Sequence, residues 1–79
     1  MTDEKLAKIY QLIGIEFKEA SAKFNNFNSI HEGFAVLLEE VDELWDTVKE
    51  RRPSAEKLTK EAKQVAAMAI RFLYDCCEV

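Results

Sequence analysis

The chain has 79 residues, of which 48% are hydrophobic, 33% charged and 10% aromatic, with two Gly and one Pro, a composition too short for two domains and too apolar for a disordered segment. A domain of that size buries only about 60% of the surface its unfolded chain exposes, which calls for a partner subunit to complete the core. Fifteen acidic against eleven basic residues give a net charge of -4, which argues against nucleic acid or an anionic membrane surface as a partner.

From the amino end, Leu6, Ile9, Tyr10, Ile13, Phe17, Ala20 and Phe24 recur at spacings of three and four, the pattern of one buried stripe on a helix over about 3–23. Leu12 and Ile15 fall off that stripe and suggest a second covered surface. The leading Met1-Thr2-Asp3-Glu4 is acidic where a secretory signal is basic. No uncharged run approaches the roughly 20 residues of a membrane span. These features point to a cytoplasmic protein.

The polar run Asn25 to Ser29 breaks the first helix, because Asn and Ser side chains compete for backbone hydrogen bonds. Ser29 and Glu32 match the S-x-x-E capping box. A second helix over about 30–51 follows, with Leu37, Leu38, Val41, Leu44, Trp45 and Val48 on one side and the stop at Arg52-Pro53. Lys49, Arg51 and Arg52 then complement its carboxyl end. Trp45 and Phe34 read as core residues, with a base pocket as the alternative.

Ser54 caps a third helix over about 55–77, whose broad apolar face includes Leu58, Ala62, Val65, Ala69, Phe72 and Cys76. Ala67 and Tyr74 lie off that face, as Leu12 and Ile15 do on the first helix. The short break around Pro53 folds the second and third helices into an antiparallel hairpin. Cys76 and Cys77 are adjacent and read as reduced, partly buried thiols. The expected fold is all-α: three helices forming one domain over 1–79, completed into a bundle by oligomerisation as a homodimer or homotetramer.

Charge is uneven along this plan. Residues 32–50 hold seven acids and one base, a net of -6, leaving +2 for the rest. Glu39, Glu40 and Glu43 share one flank of the second helix, at spacings where like charges repel by a few tenths of a kcal/mol per pair. Glu40 borders the apolar side, so the cluster overlooks a packed interface, whereas Asp42 and Asp46 point to solvent. In the hairpin, residues whose numbers sum to about 104 stand at one height, which sets Glu61 opposite Glu43 and Gln64 opposite Glu40. Four acids converging from two helices outline a metal site.

Carboxylates without His or Cys select Mg²⁺ or Mn²⁺, and Mg²⁺ shares its coordination with phosphates, which suggests attack of water on phosphorus. A di-iron bundle needs Glu-x-x-His pairs, and the single histidine, His31, has no Glu three residues before it. Lys57 and Arg71 are candidate phosphate contacts, although an ion pair of Lys57 with Glu61 explains the former equally well. His31, in the first turn of its helix, is either an exposed residue or a nucleotide contact.

Glu39-Glu40-Val41-Asp42-Glu43 and, seventeen residues on, Glu61-Ala62-Lys63-Gln64 resemble the E-E-x-x-E and E-x-x-D motifs of the MazG-like, all-α nucleoside triphosphate pyrophosphohydrolases. The strings His31 to Leu38 and Gln64 to Ala69 look like a small, phage-type branch of that group. The resemblance implies Mg²⁺, with Mn²⁺ as an alternative, and hydrolysis of a nucleoside triphosphate between the α and β phosphates to a monophosphate and pyrophosphate. It implies metal-holding or water-orienting roles for Glu39, Glu40, Glu43 and Glu61, with His31, Lys57, Gln64 and Arg71 on the substrate side. Two departures stand out: Gln64 replaces the motif Asp, and many relatives have a fourth helix, so a partner subunit is expected to close the site. The alternatives are a nucleotide- or metal-binding relative without turnover and a helical interaction module with a solvated acidic flank.

Overall fold

Hydroxyl caps set where the helices begin. In the computed structural model, which describes residues 1–79, Thr2 Oγ1 accepts from the Lys5 amide at 3.2 Å, Ser29 Oγ from Glu32 at 3.0 Å and Ser54 Oγ from Lys57 at 2.9 Å. Each satisfies a backbone N–H that a helix start leaves free. The three elements are α1 (Asp3–Lys23), α2 (Ile30–Val48) and α3 (Ala55–Cys76), with no strand. No helix is long and apolar enough to cross a membrane.

Two ends differ from expectation. The capping box at α2 is shifted by one residue: the Glu32 carboxylate accepts from the backbone N–H of Asn28 at 3.0 Å, not from Ser29. That hydrogen bond, with a second from the Asn28 side chain, holds the Glu32 carboxyl below its ordinary range. At the other end α2 stops at Val48, three residues before the predicted 51, with Lys49 as its cap. The Glu50 amide donates to Thr47 O at 3.1 Å, tightening the last turn before Pro53. Arg51 and Arg52 therefore lie in the connection, and only Lys49 meets the helix end.

Helix α3 is the centre. Both α1 and α2 pack on it, and they do not pack on one another. On α2 the line facing α3 recurs every seventh residue: Gly33 is buried against Phe72 and Cys76, Glu40 meets Gln64, and Thr47 is 2% exposed with its hydroxyl donating to Glu43 O at 3.2 Å. On the α1 side the buried residues are small, Ala20 on α1 and Ala67 on α3. The Phe17 and Tyr74 rings meet at 5.9 Å with a 48° tilt, and Lys63 Nζ reaches Glu16 at 4.0 Å.

The connection from α1 to α2 is fastened to α3 by two side chains one turn apart. Arg71 is 4% exposed; its Nη2 donates to Asn25 O at 2.7 Å, and its guanidinium carbon lies 4.4 Å from the centre of the Phe27 ring. Asp75 Oδ2 accepts from the Phe27 amide at 2.9 Å. A buried guanidinium is costly unless hydrogen-bonded; here a carbonyl oxygen and an aromatic face supply the negative potential.

Several residues expected in one environment occur in another: on α1, Ile9, Tyr10 and Phe24 of the predicted buried stripe are exposed, because α3 covers only part of that stripe. Trp45 is 56% and Phe34 58% exposed, because the apolar arc of α2 is wider than α3 covers and α1 does not reach it. Ala67, placed off the buried face, lies wholly within the α1 contact. Of the two thiols, both free, Cys76 is half-buried with its Sγ 3.8 Å from Ser29 O, and Cys77 is exposed. Burial, reinforced by Asp75, raises the Cys76 thiol above its ordinary pKa, which disfavours the thiolate.

The two glycines predict opposite results for one substitution. A Cβ on Gly33 would stand 2.9 Å from Phe72, 3.0 Å from Phe27 and 3.2 Å from Cys76, whereas one on Gly14 meets nothing within 4 Å. Ala gains about 1 kcal/mol over Gly in a helix interior, and overpacking costs about 1–3 kcal/mol. Thermal or urea unfolding should show Gly14→Ala more stable than the parent and Gly33→Ala less stable, with Gly33→Leu worse again.

Candidate metal centre

Packing of α2 on α3 brings together acids that repel. Glu40 and Glu43 are three residues apart on α2, and Glu61 is buried on α3. One carboxylate oxygen from each lies within 4.8 Å of one from each of the others. One end of the Gln64 amide faces only acceptors and the other only donors, which assigns the nitrogen to the carboxylate side: Nε2 donates to Glu40 Oε2 at 3.3 Å and to Glu61 Oε2 at 3.2 Å. Gln64 thus ties the two helices through the carboxylates it bridges.

Gathering these groups has an electrostatic consequence at Glu40. Burial is the largest cause, followed by the charge of Glu43, a hydrogen bond to Glu43, and the charges of Glu61 and Glu39; together they push the Glu40 carboxyl up to about 6. Desolvation and like charge both disfavour the ionised form. A cation at the cluster acts in the opposite sense, restoring ionisation and removing the repulsion.

The donor set fits a hard divalent cation. At the usual Mg²⁺ ligand distance, neighbouring oxygens of an octahedron stand about 2.9 Å apart and opposite ones about 4.2 Å, so atoms within 4.8 Å must draw together by side-chain rotation to share one ion. The three carboxylates are the residues that could hold it, and Gln64 can turn its carbonyl oxygen toward a cation or its NH₂ toward the carboxylates. Water would fill the remaining positions, since Mg²⁺ usually keeps several.

Beside the cluster lies a cleft of about 410 Å³ whose far wall is α1. Glu16, Glu19, Lys23 and the neighbouring Phe24 line it from that side, and Lys60 from α3. The sequence marks none of these five as a site residue, and it assigns Phe24 to the buried stripe of α1, where the structure leaves it exposed. The available signal was the row Glu16, Glu19, Lys23 beside the buried Ala20, charges at helical spacing next to a helix contact.

The other expected site residues are dispersed. Glu39 is exposed and outside the group of three, although its charge is felt at Glu40. His31 is exposed, nine residues before Glu40, about 13 Å along the helix. Lys57 pairs with Glu50 at 2.9 Å, not with Glu61, and that hydrogen bond raises its pKa. Arg71 is committed to the loop at Asn25 and Phe27. Asp42 and Asp46 face solvent, Asp46 within 3.4 Å of Lys49. Comparisons of the chain with protein-family models, curated proteins and solved structures give no match.

A pH and metal prediction follows from Glu40. Its carboxyl is raised from 4.5 to about 6 in the folded chain, so between those values the folded state binds more protons than the unfolded state and stability falls as pH rises. The contribution is full below about 4.5 and lost as pH passes about 6. In EDTA, wild-type Tm should carry a component that decreases over this window, and Glu40→Gln should remove it. At pH 7, millimolar Mg²⁺ or Mn²⁺ should raise the Tm of the wild type by mass action and leave a Glu40→Gln, Glu43→Gln variant unchanged.

Proposed function

We propose that the chain is a Mg²⁺-dependent nucleoside triphosphate pyrophosphohydrolase of the MazG-like kind, acting in the cytoplasm as a homodimer or homotetramer. The observation that carries this reading is the convergence of Glu40, Glu43 and Glu61 from two helices to within 4.8 Å. In this reading α2 and α3 form an antiparallel hairpin, supported by the pairs Gly33 with Phe72, Glu40 with Gln64 and Glu50 with Lys57. Their numbers converge toward the turn at Pro53.

Glu40, Glu43 and Glu61 would hold the cation, which when bound supplies a more acidic water ligand and neutralises phosphate charge. Glu39, at the solvent margin one residue before Glu40, serves to orient water. Gln64 keeps Glu40 and Glu61 aimed at one point through its amide, limiting the reorganisation needed on binding. Lys23, across the cleft on α1, and Lys60, beside Glu61 on α3, supply positive charge for phosphate oxygens beyond the metal. Phe24, exposed at the same cleft, offers a ring face to a base.

One observation favours a second reading, a nucleotide- or metal-binding relative without turnover. Gln64 stands where the motif Asp would supply a fourth negative ligand beside Glu40, Glu43 and Glu61, and a neutral amide oxygen holds Mg²⁺ less strongly than a carboxylate. The two readings separate on turnover alone.

Incubation with a panel of common and modified nucleoside triphosphates and Mg²⁺, followed by a pyrophosphate assay, tests the proposal. Release of pyrophosphate and monophosphate is expected, and binding without release would establish the second reading. Glu43→Gln and Glu61→Gln should each lower kcat at least a hundredfold, with the double variant little worse than either, since ligands of one metal act as a unit. Gln64→Asp should preserve or tighten Mg²⁺ binding. Wild-type turnover in Glu61→Gln would refute a centre shared by α2 and α3.

A further inference from the structure

The isolated chain is poorly covered for its size. Its accessible surface is 6304 Å², against about 4,900 Å² for a folded monomer of 9.1 kDa. The excess, roughly 1,400 Å², exceeds the ~800 Å² per partner of a standard protein interface. Much of it is apolar and concentrated in two places.

The first is a stripe on α2: Phe34, Leu38, Val41, Trp45 and Val48 are each 41–58% exposed. At about 100° per residue they share one side of the helix, away from Glu40 and Glu43. Asp42 and Asp46 flank that stripe and are exposed; Asp46 is shared with Lys49, whose ammonium lies 5.6 Å from the centre of the Trp45 ring and must turn aside for the stripe to be covered. The second is a groove of about 530 Å³ between α1 and α3, floored by Leu12, Ile13, Ala62 and Ala66. Its rim is cationic, with Lys5, Lys8 and Lys63. Lys5 and Lys8 are exposed and have no carboxylate within 4.0 Å; Lys63 is shared with Glu16.

These two surfaces suit one another: an apolar helix stripe with an acidic flank, and an apolar groove with a basic rim. Within one chain α2 does not touch α1, so a second copy must supply the stripe. We propose that two chains associate reciprocally, the Phe34–Val48 stripe of each α2 seated in the α1/α3 groove of the other, with Asp42 and Asp46 against Lys5 and Lys8. Exchange of unlike patches in both directions is compatible with a closed two-fold pair. Apolar burial drives the association and the charges set its register. The pairing specifies the contact within the homo-oligomer named above and is independent of whether the carboxylate cluster turns over nucleotides. Pyrophosphate release by a dimer built on another surface would leave the activity standing and remove this contact.

A charge-swap experiment tests it. One variant carries Lys5→Glu and Lys8→Glu, the other Asp42→Lys and Asp46→Lys. Each alone has two repulsive contacts in a homodimer, whereas a mixed pair has one restored and one native contact. Sedimentation and light scattering at micromolar concentration should give a dimeric wild type, self-association weakened at least tenfold in each variant, and a 1:1 heterodimer close to wild-type affinity. Trp45, the single tryptophan, gives an independent readout, with emission shifting to the blue as the pair forms. Should either variant lose its helices when alone, recovery of the circular dichroism signal on mixing supports the contact equally. A monomeric wild type, variants as dimeric as the parent, or a mixture no tighter than its components would overturn it.

Discussion

Every contact between helices passes through α3. With α1 and α2 each resting on it and not on one another, the chain is two helix pairs sharing a member. The radius of gyration, 13.4 Å, accordingly exceeds the ~11.6 Å of a compact domain of this length. What keeps the two pairs in a fixed relation is the loop clamp. Arg71 and Asp75 hold the Asn25–Phe27 backbone from one face of α3, and that face adjoins the cleft through Met68, whose sulfur lies 3.8 Å from Arg71 Nη1.

The acid cluster sits where the α2–α3 pair is otherwise well packed, and it works against that packing. Thr47 is almost wholly buried and Gly33 admits close contact with Phe72, while between them Glu40 is held near like charges at a raised pKa. Local electrostatics and fold agree nearly everywhere in this chain except there. A conflict of that kind persists only when the surrounding structure imposes it. Gln64 lessens it by offering NH₂ to two carboxylates, something an ionised Asp at that position could not do.

Helix positions were legible because they rest on local chemistry: Thr2, Ser29 and Ser54 are hydroxyls that cap in place, and the apolar period does the rest. The meeting of Glu40, Glu43, Glu61 and Gln64 was legible for a similar reason, since a short connection fixes which heights coincide. Phe34 and Trp45 show where this stops. Periodicity marks a face that avoids water without saying what covers it, and here no element of the same chain does. Glu16, Glu19 and Lys23 were missed because their approach to the cluster depends on how α1 lies against α3 across a longer connection. The sequence also could not assign Arg71 to a backbone carbonyl and a ring, because neither partner is visible as a charge.

The shared-member architecture bears on how the chain opens. α1 holds to the remainder through the buried Ala20, the half-buried Leu12 and Ile13, the Phe17–Tyr74 contact and the Glu16–Lys63 pair, while Tyr10, Ile15 and Phe24 already face water. A segment with so few buried contacts is the cheapest to detach. Its amides should therefore exchange with solvent through a sub-global opening that costs less than full unfolding, while those in the middle of α3 wait for the whole chain. Such an opening removes the cleft wall formed by Glu16, Glu19, Lys23 and Phe24 and leaves Glu40, Glu43 and Glu61 together. The carboxylates keep their arrangement in a state where the way to them is unobstructed, so the helix that bounds the cleft is not one of the two that hold the cluster.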